Sequence, residues 1–245
     1  MTGQGVRSPL AALIGLALAS TAVGAQGAPA ASPMSAADSV ALRLVERAAV
    51  AYASARTLQA TFQQTLMNPR TGTEYRASGE FLQRGTTHFA FRFSDPVGDR
   101  IVADAAALWL YLPSNAPGQA LKLSRAAGAG LDIASEVLRD PATRYRVRAV
   151  SPAELDGHPT QGIELVPRVG GGAFTKATLW IDPAQALVRR AIITEATGMQ
   201  RTILFTAIRV GAALPADAFV FTPPEGVRVI DQAALFGGSA PPRSP

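Results

Sequence analysis

The sequence predicts a mainly β chain with helices: an antiparallel meander of about ten strands that curls towards a partial barrel, with two helices laid on its concave face. Three observations predict it. Apolar and polar residues alternate through most of 57–112 and again through 144–210, broken at short spacing by Gly, Pro and Asp. Helical spacing is confined to two stretches, one around 40–52 and one at 130–139. Hydrophobic residues make up 48% and charged residues 17%, so a sizeable core can form, and with no cysteine it must hold the fold without disulfides.

The elements follow in order. Residues 1–25 read as a secretory signal peptide: Arg7, the apolar run from Leu10 to Val23, and the small-residue site Val23-Gly24-Ala25, with cleavage near Ala25. The run is short for a membrane span, which needs about 20 residues. Without cysteine there is no lipid-modified residue to tether the exported chain, so in a Gram-negative-type cell it is expected to be free in the periplasm. Residues 26–35 are small and Pro-containing and are expected to be disordered, as is the tail 237–245. Residues 36–236 form one domain, with no linker inside it.

Within that domain, Ser35 or Asp38 can cap a helix whose apolar stripe is Val40, Leu44, Val45, Ala48 and Tyr52. Strands are expected at 57–67, 73–84, 87–94, 100–103 and 107–112, with 68–72 (NPRTG) turning the first pair into a hairpin. The stretch LDIASEVLRD predicts a second helix over 130–139, stopped by Pro141, with Leu131, Val137 and Leu138 turned inward. Strands resume at 144–150, 160–168, 174–182, 187–195 and 200–210.

Catalytic patterns are missing. His88 and His158 are the two histidines, and neither has a second His at metal-ligand spacing. No nucleophile elbow, P-loop or dinucleotide fingerprint occurs. Gly170-Gly171-Gly172 lies between predicted strands and reads as a hairpin tip, and Asp95 and Asp99 flank a Pro/Gly turn rather than a catalytic pair. The net charge is +5, but the basic residues are scattered, so nucleic acid is not expected as a partner. No cofactor, no metal site and no enzymatic activity are expected; a binding function is.

One stretch stands out. FLQRGTTHFAFRFSDP places Phe89, Phe91 and Phe93 at every second position, so all three rings leave one face of a strand. A packed core is the plainest use for such a row.

Taken together, the segments resemble the LolA family of periplasmic outer-membrane lipoprotein carriers. Phe62 and Gln64 match its F-x-Q strand. Gly79, Phe81, Arg84, Phe89, Phe91 and Pro96 follow its G-x-F…R-P…F-x-W…P pattern, with Gly85 in place of the Pro, Phe91 in place of the Trp and one extra residue after Arg84. IVADAAALWLY matches through Val102, Asp104, Leu108, Trp109 and Tyr111, with Ala105 for a Gly. FVFTPPEGVRVI, residues 219–230, is the most specific match, and the similarity spans about residues 36 to 231.

The resemblance implies a strongly curved antiparallel sheet, a half-open β-barrel, with an α-helical lid over its concave hydrophobic face. It also implies that acyl chains of lipoproteins are held in that hollow. Phe89, Phe91 and Phe93 would line it, joined by Trp109 or Tyr111 from a neighbouring strand and by Leu131, Val137 and Leu138 from the lid. Arg84 would act as a latch, donating to backbone carbonyls of the helix at 130–139. The implied partners are acylated lipoprotein cargo, an inner-membrane lipoprotein-releasing ABC exporter and, where one exists, an outer-membrane receptor; the carrier is expected to be a monomer. A carrier or sensor of other envelope lipids, a solid-cored β scaffold and a lipid hydrolase are the alternatives, the last disfavoured by the missing nucleophile.

Overall fold

The computed structural model describes residues 34–124, 136–170, 172 and 174–231. The signal peptide 1–25, most of segment 26–35, the tail 237–245, Leu131 and the first half of the expected second helix lie outside these residues.

Helix α1 runs over Ala36–Ser54 and starts where Ser35 accepts a hydrogen bond from the Asp38 N–H at 3.1 Å. Its buried stripe is Ala41, Leu44, Val45, Ala48 and Tyr52. Val40, expected in that stripe, is 54% exposed, because one residue turns the helix by 100° and only position 41 stays in phase with 44, 45, 48 and 52. The helix is pinned to the sheet near both ends. Asp38 Oδ1 accepts from the Ala149 N–H at 2.8 Å, and the Val188 N–H donates to the Tyr52 hydroxyl at 3.3 Å. The bond from Ala149, and after it the hydrogen bonding with Ser35, hold the Asp38 carboxyl below its usual range, while burial pushes the Tyr52 hydroxyl up to about 12.

The strands are β1 Thr57–Asn68, β2 Thr73–Arg84, β3 His88–Asp95, β4 Arg100–Ala103, β5 Ala107–Tyr111, β6 Gln119–Ser124, β7 Tyr145–Leu155, β8 His158–Pro167, β9 Phe174–Asp182, β10 Leu187–Glu195, β11 Gln200–Val210 and β12 Arg228–Asp231. They form one twelve-stranded sheet in the order β12-β6-β5-β4-β3-β2-β1-β11-β10-β9-β8-β7. Two meanders, β1–β6 and β7–β11, are thus joined by the antiparallel pairing of β1 with β11. Strands β6 and β12 were not expected from the sequence, and their pairing is parallel, so the sheet is antiparallel everywhere but at that edge.

Pro141 begins rather than follows a helix. Asp140 takes a left-handed φ of 43° and the short α2, Pro141–Arg144, starts on the proline, whose fixed φ and missing N–H suit a first helical turn. Before it, Glu136 and Val137 form a wide π-type turn with Leu138 following, and both Val137 and Leu138 are fully buried.

The sheet curves around a large core and leaves its two faces covered differently. On the concave face α1 packs against β7–β10. On the convex face the segment between β11 and β12 crosses back over the first meander, burying Ala218 and Phe219 against Leu82, Ala90 and Val102. The result is a half-open β-barrel with a helical lid.

Candidate functional site

The concave side of the first meander carries an aromatic cluster. Phe62 on β1, Phe81 on β2, Phe89, Phe91 and Phe93 on β3 and Phe205 on β11 all face inward. Gly79 explains how they meet. It lies between Phe62 and Phe93 in register, and the Phe62 ring reaches across it to meet those of Phe91 and Phe93 edge-on at 5.1 and 5.2 Å. A Cβ on Gly79 would sit 2.1 Å from the Arg92 carbonyl oxygen, so no other residue fits there.

The Phe row divides along its length. Phe89 and Phe91 are 3% and 1% exposed and belong to the packed core, as the plainest reading of the row has it. Phe93 is half-buried and lines a cavity of about 430 Å³ at the end of the half-barrel where β1 turns into β2. Leu66, Tyr75, Ile101, Leu110 and Leu112 form the rest of its apolar wall, and Gln64, Asp99, Ser114, Asn115 and Arg201 supply its polar groups. A volume of this size falls in the range of small-molecule pockets, roughly 300–1,000 Å³.

Val137 and Leu138 join the same concave cluster as the Phe row. Trp109 and Tyr111 do not. Both face outward, their rings 5.4 and 5.5 Å from Phe221 in the convex cover, because Leu108 and Leu110 take the inward positions of β5. The motif FVFTPPEGVRVI thereby has a structural use: Phe219 and Phe221 seal the outer face and the following residues add β12 to the sheet.

Arg84 also lies outside the concave cluster. It is exposed, shares the outward face of Leu82, and its guanidinium sits 4.8 Å above the Phe219 ring. The turn it precedes differs from an Arg-Pro turn for a clear reason. Gly85 adopts φ +58° and donates its N–H to the Arg56 carbonyl at 3.2 Å, and proline can do neither. The carbonyl of Glu136, at the described end of the expected lid helix, instead accepts from Arg144 Nη1 at 2.6 Å and from the Tyr145 hydroxyl at 3.0 Å.

The cavity's polar end was not foreseen. Gln64 and Arg201 come from β1 and β11 and meet through an Arg201 Nη1 to Gln64 Oε1 bond of 3.0 Å, while Arg201 Nη2 donates to Glu195 Oε1 at 3.0 Å. Asp99, of the dismissed carboxylate pair, is buried and accepts from both the Ser114 N–H at 3.1 Å and its hydroxyl at 2.6 Å. Strand alternation from Phe62 through Gln64 to Leu66 was the signal available for Gln64; for Arg201 it was the step from Phe205 through Ile203.

Elsewhere, His158 Nδ1 is 3.2 Å from Asp182, whose carboxylate also binds Arg189 and the N–H groups of Ala184 and Gln185. These bonds overcome burial and hold the Asp182 carboxyl low, and their geometry is that of a tied β9–β10 turn.

Residues 53–222 of the chain's 245 match the family described as outer membrane lipoprotein carrier protein LolA. An outer-membrane lipoprotein carrier protein of Methylibium petroleiphilum is 30% identical over 189 residues, covering 74% of this chain and 85% of that protein. Its counterpart in Nitrosomonas europaea is 26% identical over 176 residues, covering 72% and 83%. Among solved structures, that of MucB superposes with a TM-score of 0.51 at 19% identity, covering 78% of this chain and 66% of MucB, which is a likeness of fold. The matched residues take in the Phe row, the cavity wall and the convex seal, and the chain belongs to the LolA family of outer-membrane lipoprotein carrier proteins.

Proposed function

We propose that the protein is a periplasmic carrier that takes acyl chains of lipoproteins into its concave cavity and ferries them from an inner-membrane exporter to the outer membrane. The observation that carries this reading is the cavity itself: an apolar hollow walled by Leu66, Phe93, Ile101, Leu110 and Leu112, on a face where a solid scaffold would be filled. Family membership supports it, and the N-terminal 25 residues, read as a signal peptide cleaved near Ala25, supply the route to the periplasm.

The energetics suit a carrier rather than a trap. Burying a 16-carbon chain is worth about 12 kcal/mol gross at ~0.8 kcal/mol per methylene. Three such chains fully buried would exceed the ceiling of about 18–21 kcal/mol seen for non-covalent binding, and release would stop. A cavity that accepts part of the cargo, beside a core row that stays packed, keeps binding within reach of a receptor. Transfer is then a competition between two apolar sites, with no covalent step.

The test is native mass spectrometry of the protein purified from the periplasm under mild conditions. Co-purifying triacylated lipoprotein supports the carrier; phospholipid or glycolipid alone would assign the cavity to another envelope lipid. A bare monomer that also fails to accept lipoprotein from exporter-containing membranes would overturn the proposal.

A further inference from the structure

The cavity is not uniformly apolar: Gln64, Asp99, Ser114, Asn115 and Arg201 give it a polar end. Arg201 lies on β11 opposite Leu66 of β1, on a cavity wall that also includes Phe93 and Leu112. An arginine carries five N–H donors. Two of them find acceptors here, Gln64 Oε1 and the Glu195 carboxylate, and Nε is buried without a partner, so the donors left for a ligand are the second N–H groups on the two Nη nitrogens. The carboxylate on the same wall is in the opposite condition: Asp99 is already held by two bonds from Ser114. The guanidinium is thus ion-paired with Glu195 yet keeps N–H donors that no protein group meets, while each Asp99 oxygen already accepts a bond from Ser114.

Placing a guanidinium beside aliphatic side chains is costly unless its donors are met, and a leucine or methionine would make a better wall for hydrocarbon alone. Resting on the proposed reading of the cavity as an acyl site, we infer that this pole seats an oxygen acceptor borne by the acyl chain, with Arg201 as the specificity-determining residue and Gln64 as its positioning partner. The acceptor is either a carboxylate or the carbonyl of an ester or amide linkage, which share the chemistry that a guanidinium recognises. Gln64 fixes Nη1 and Glu195 fixes Nη2, so the planar group is held in place before the ligand arrives. The chain would then enter with its linkage at the Arg201 end and its hydrocarbon along Leu66, Phe93 and Ile101, which gives a carrier one orientation of cargo rather than two.

The experiment is displacement of the neutral fluorophore N-phenyl-naphthylamine from the delipidated mature protein by submicellar palmitate, monopalmitoylglycerol and hexadecylammonium. One charge-assisted hydrogen bond should make the acceptor-bearing ligands at least about tenfold more effective than the ammonium ligand. Arg201→Met should erase that preference while leaving the alkyl contribution, and Arg201→Lys should keep part of it for palmitate. Palmitate and the ester performing alike assigns the pole to a carbonyl linkage; palmitate well ahead assigns it to a carboxylate. Equal displacement by all three in the unmutated protein, or a preference that survives in a folded Arg201→Met, would overturn the inference while leaving the cavity reading intact. Displacement by none of them would overturn both.

Discussion

Replacing Phe91 and Phe93 by alanine, one at a time, separates core from cavity on a single strand face. Phe91 is 1% exposed, and its ring meets those of Phe81 at 4.8 Å, Phe62 at 5.1 Å, Phe89 at 6.0 Å and Phe93 at 6.5 Å. Truncation there removes a buried ring and opens a void in a packed cluster, which costs about 3–5 kcal/mol. At about 4 kcal/mol, and with roughly 2–4 °C lost per kcal/mol in a domain of this size, the Tm should fall by about 8–16 °C. Phe93 is half-buried, with one side already facing the cavity, so its ring gives up less apolar area and leaves no new sealed void. About half the loss is expected, together with weaker retention of an alkyl probe, whereas Phe91→Ala should leave probe binding by the folded fraction unchanged. The assay is thermal and urea denaturation of both variants with probe titration below the transition. Equal Tm losses would refute the division of the row, and so would a probe affinity that responds to Phe91 rather than Phe93.

Further outcomes test the surrounding framework. Gly79→Ala forces a Cβ to within 2.1 Å of the Arg92 carbonyl oxygen and should cost at least about 1–3 kcal/mol or prevent folding; an unshifted Tm would mean that β2 and β3, whose register shifts between Ser78 and Gly79, can part there without cost. The lowered Asp38 carboxyl contributes stability that is present above the unfolded-state value near 3.9 and is lost as pH falls through its lower native value. Urea midpoints of wild type and Asp38→Ala should therefore differ at neutral pH and draw together in strong acid, and a gap independent of pH would assign the effect to helix packing instead. Arg84→Leu removes a cation–π contact worth about 0.5–1 kcal/mol at an exposed site and should leave lipoprotein hand-over at the wild-type rate. Slower hand-over in that variant would restore the latch that the family pattern suggests. Arg144→Leu removes a donor from the Glu136 carbonyl, and faster amide exchange at Val137 and Leu138 is expected; unchanged exchange would leave Tyr145 as the sufficient anchor.

Strands β1–β5 and β7–β11 were legible because alternation is a local property: the pleat turns successive side chains to opposite faces whatever lies beyond them. The same property set Phe89, Phe91 and Phe93 on one face, and the small, Pro- and Gly-containing breaks set the turns. The absence of cysteine, of a nucleophile motif and of paired metal ligands was equally plain in the sequence. β6 and β12 escaped because each is short, and β12 exists as a strand through a parallel partner about a hundred residues away.

Which face is concave was not legible for a related reason. Both faces of the first meander are covered, one by the Phe cluster and one by Phe219 and Phe221, so Leu108 and Leu110 alternate with Trp109 and Tyr111 as two apolar sets. Local pattern has no preference between them, and the chain crossing the convex face decides it. The polar pole of the cavity depends on still longer reach: Gln64 and Arg201 are 137 residues apart and meet only because β1 pairs with β11. Periodicity comes from the backbone of each strand alone, whereas the cavity and its Gln64–Arg201 pole come from pairings that bring distant strands into register.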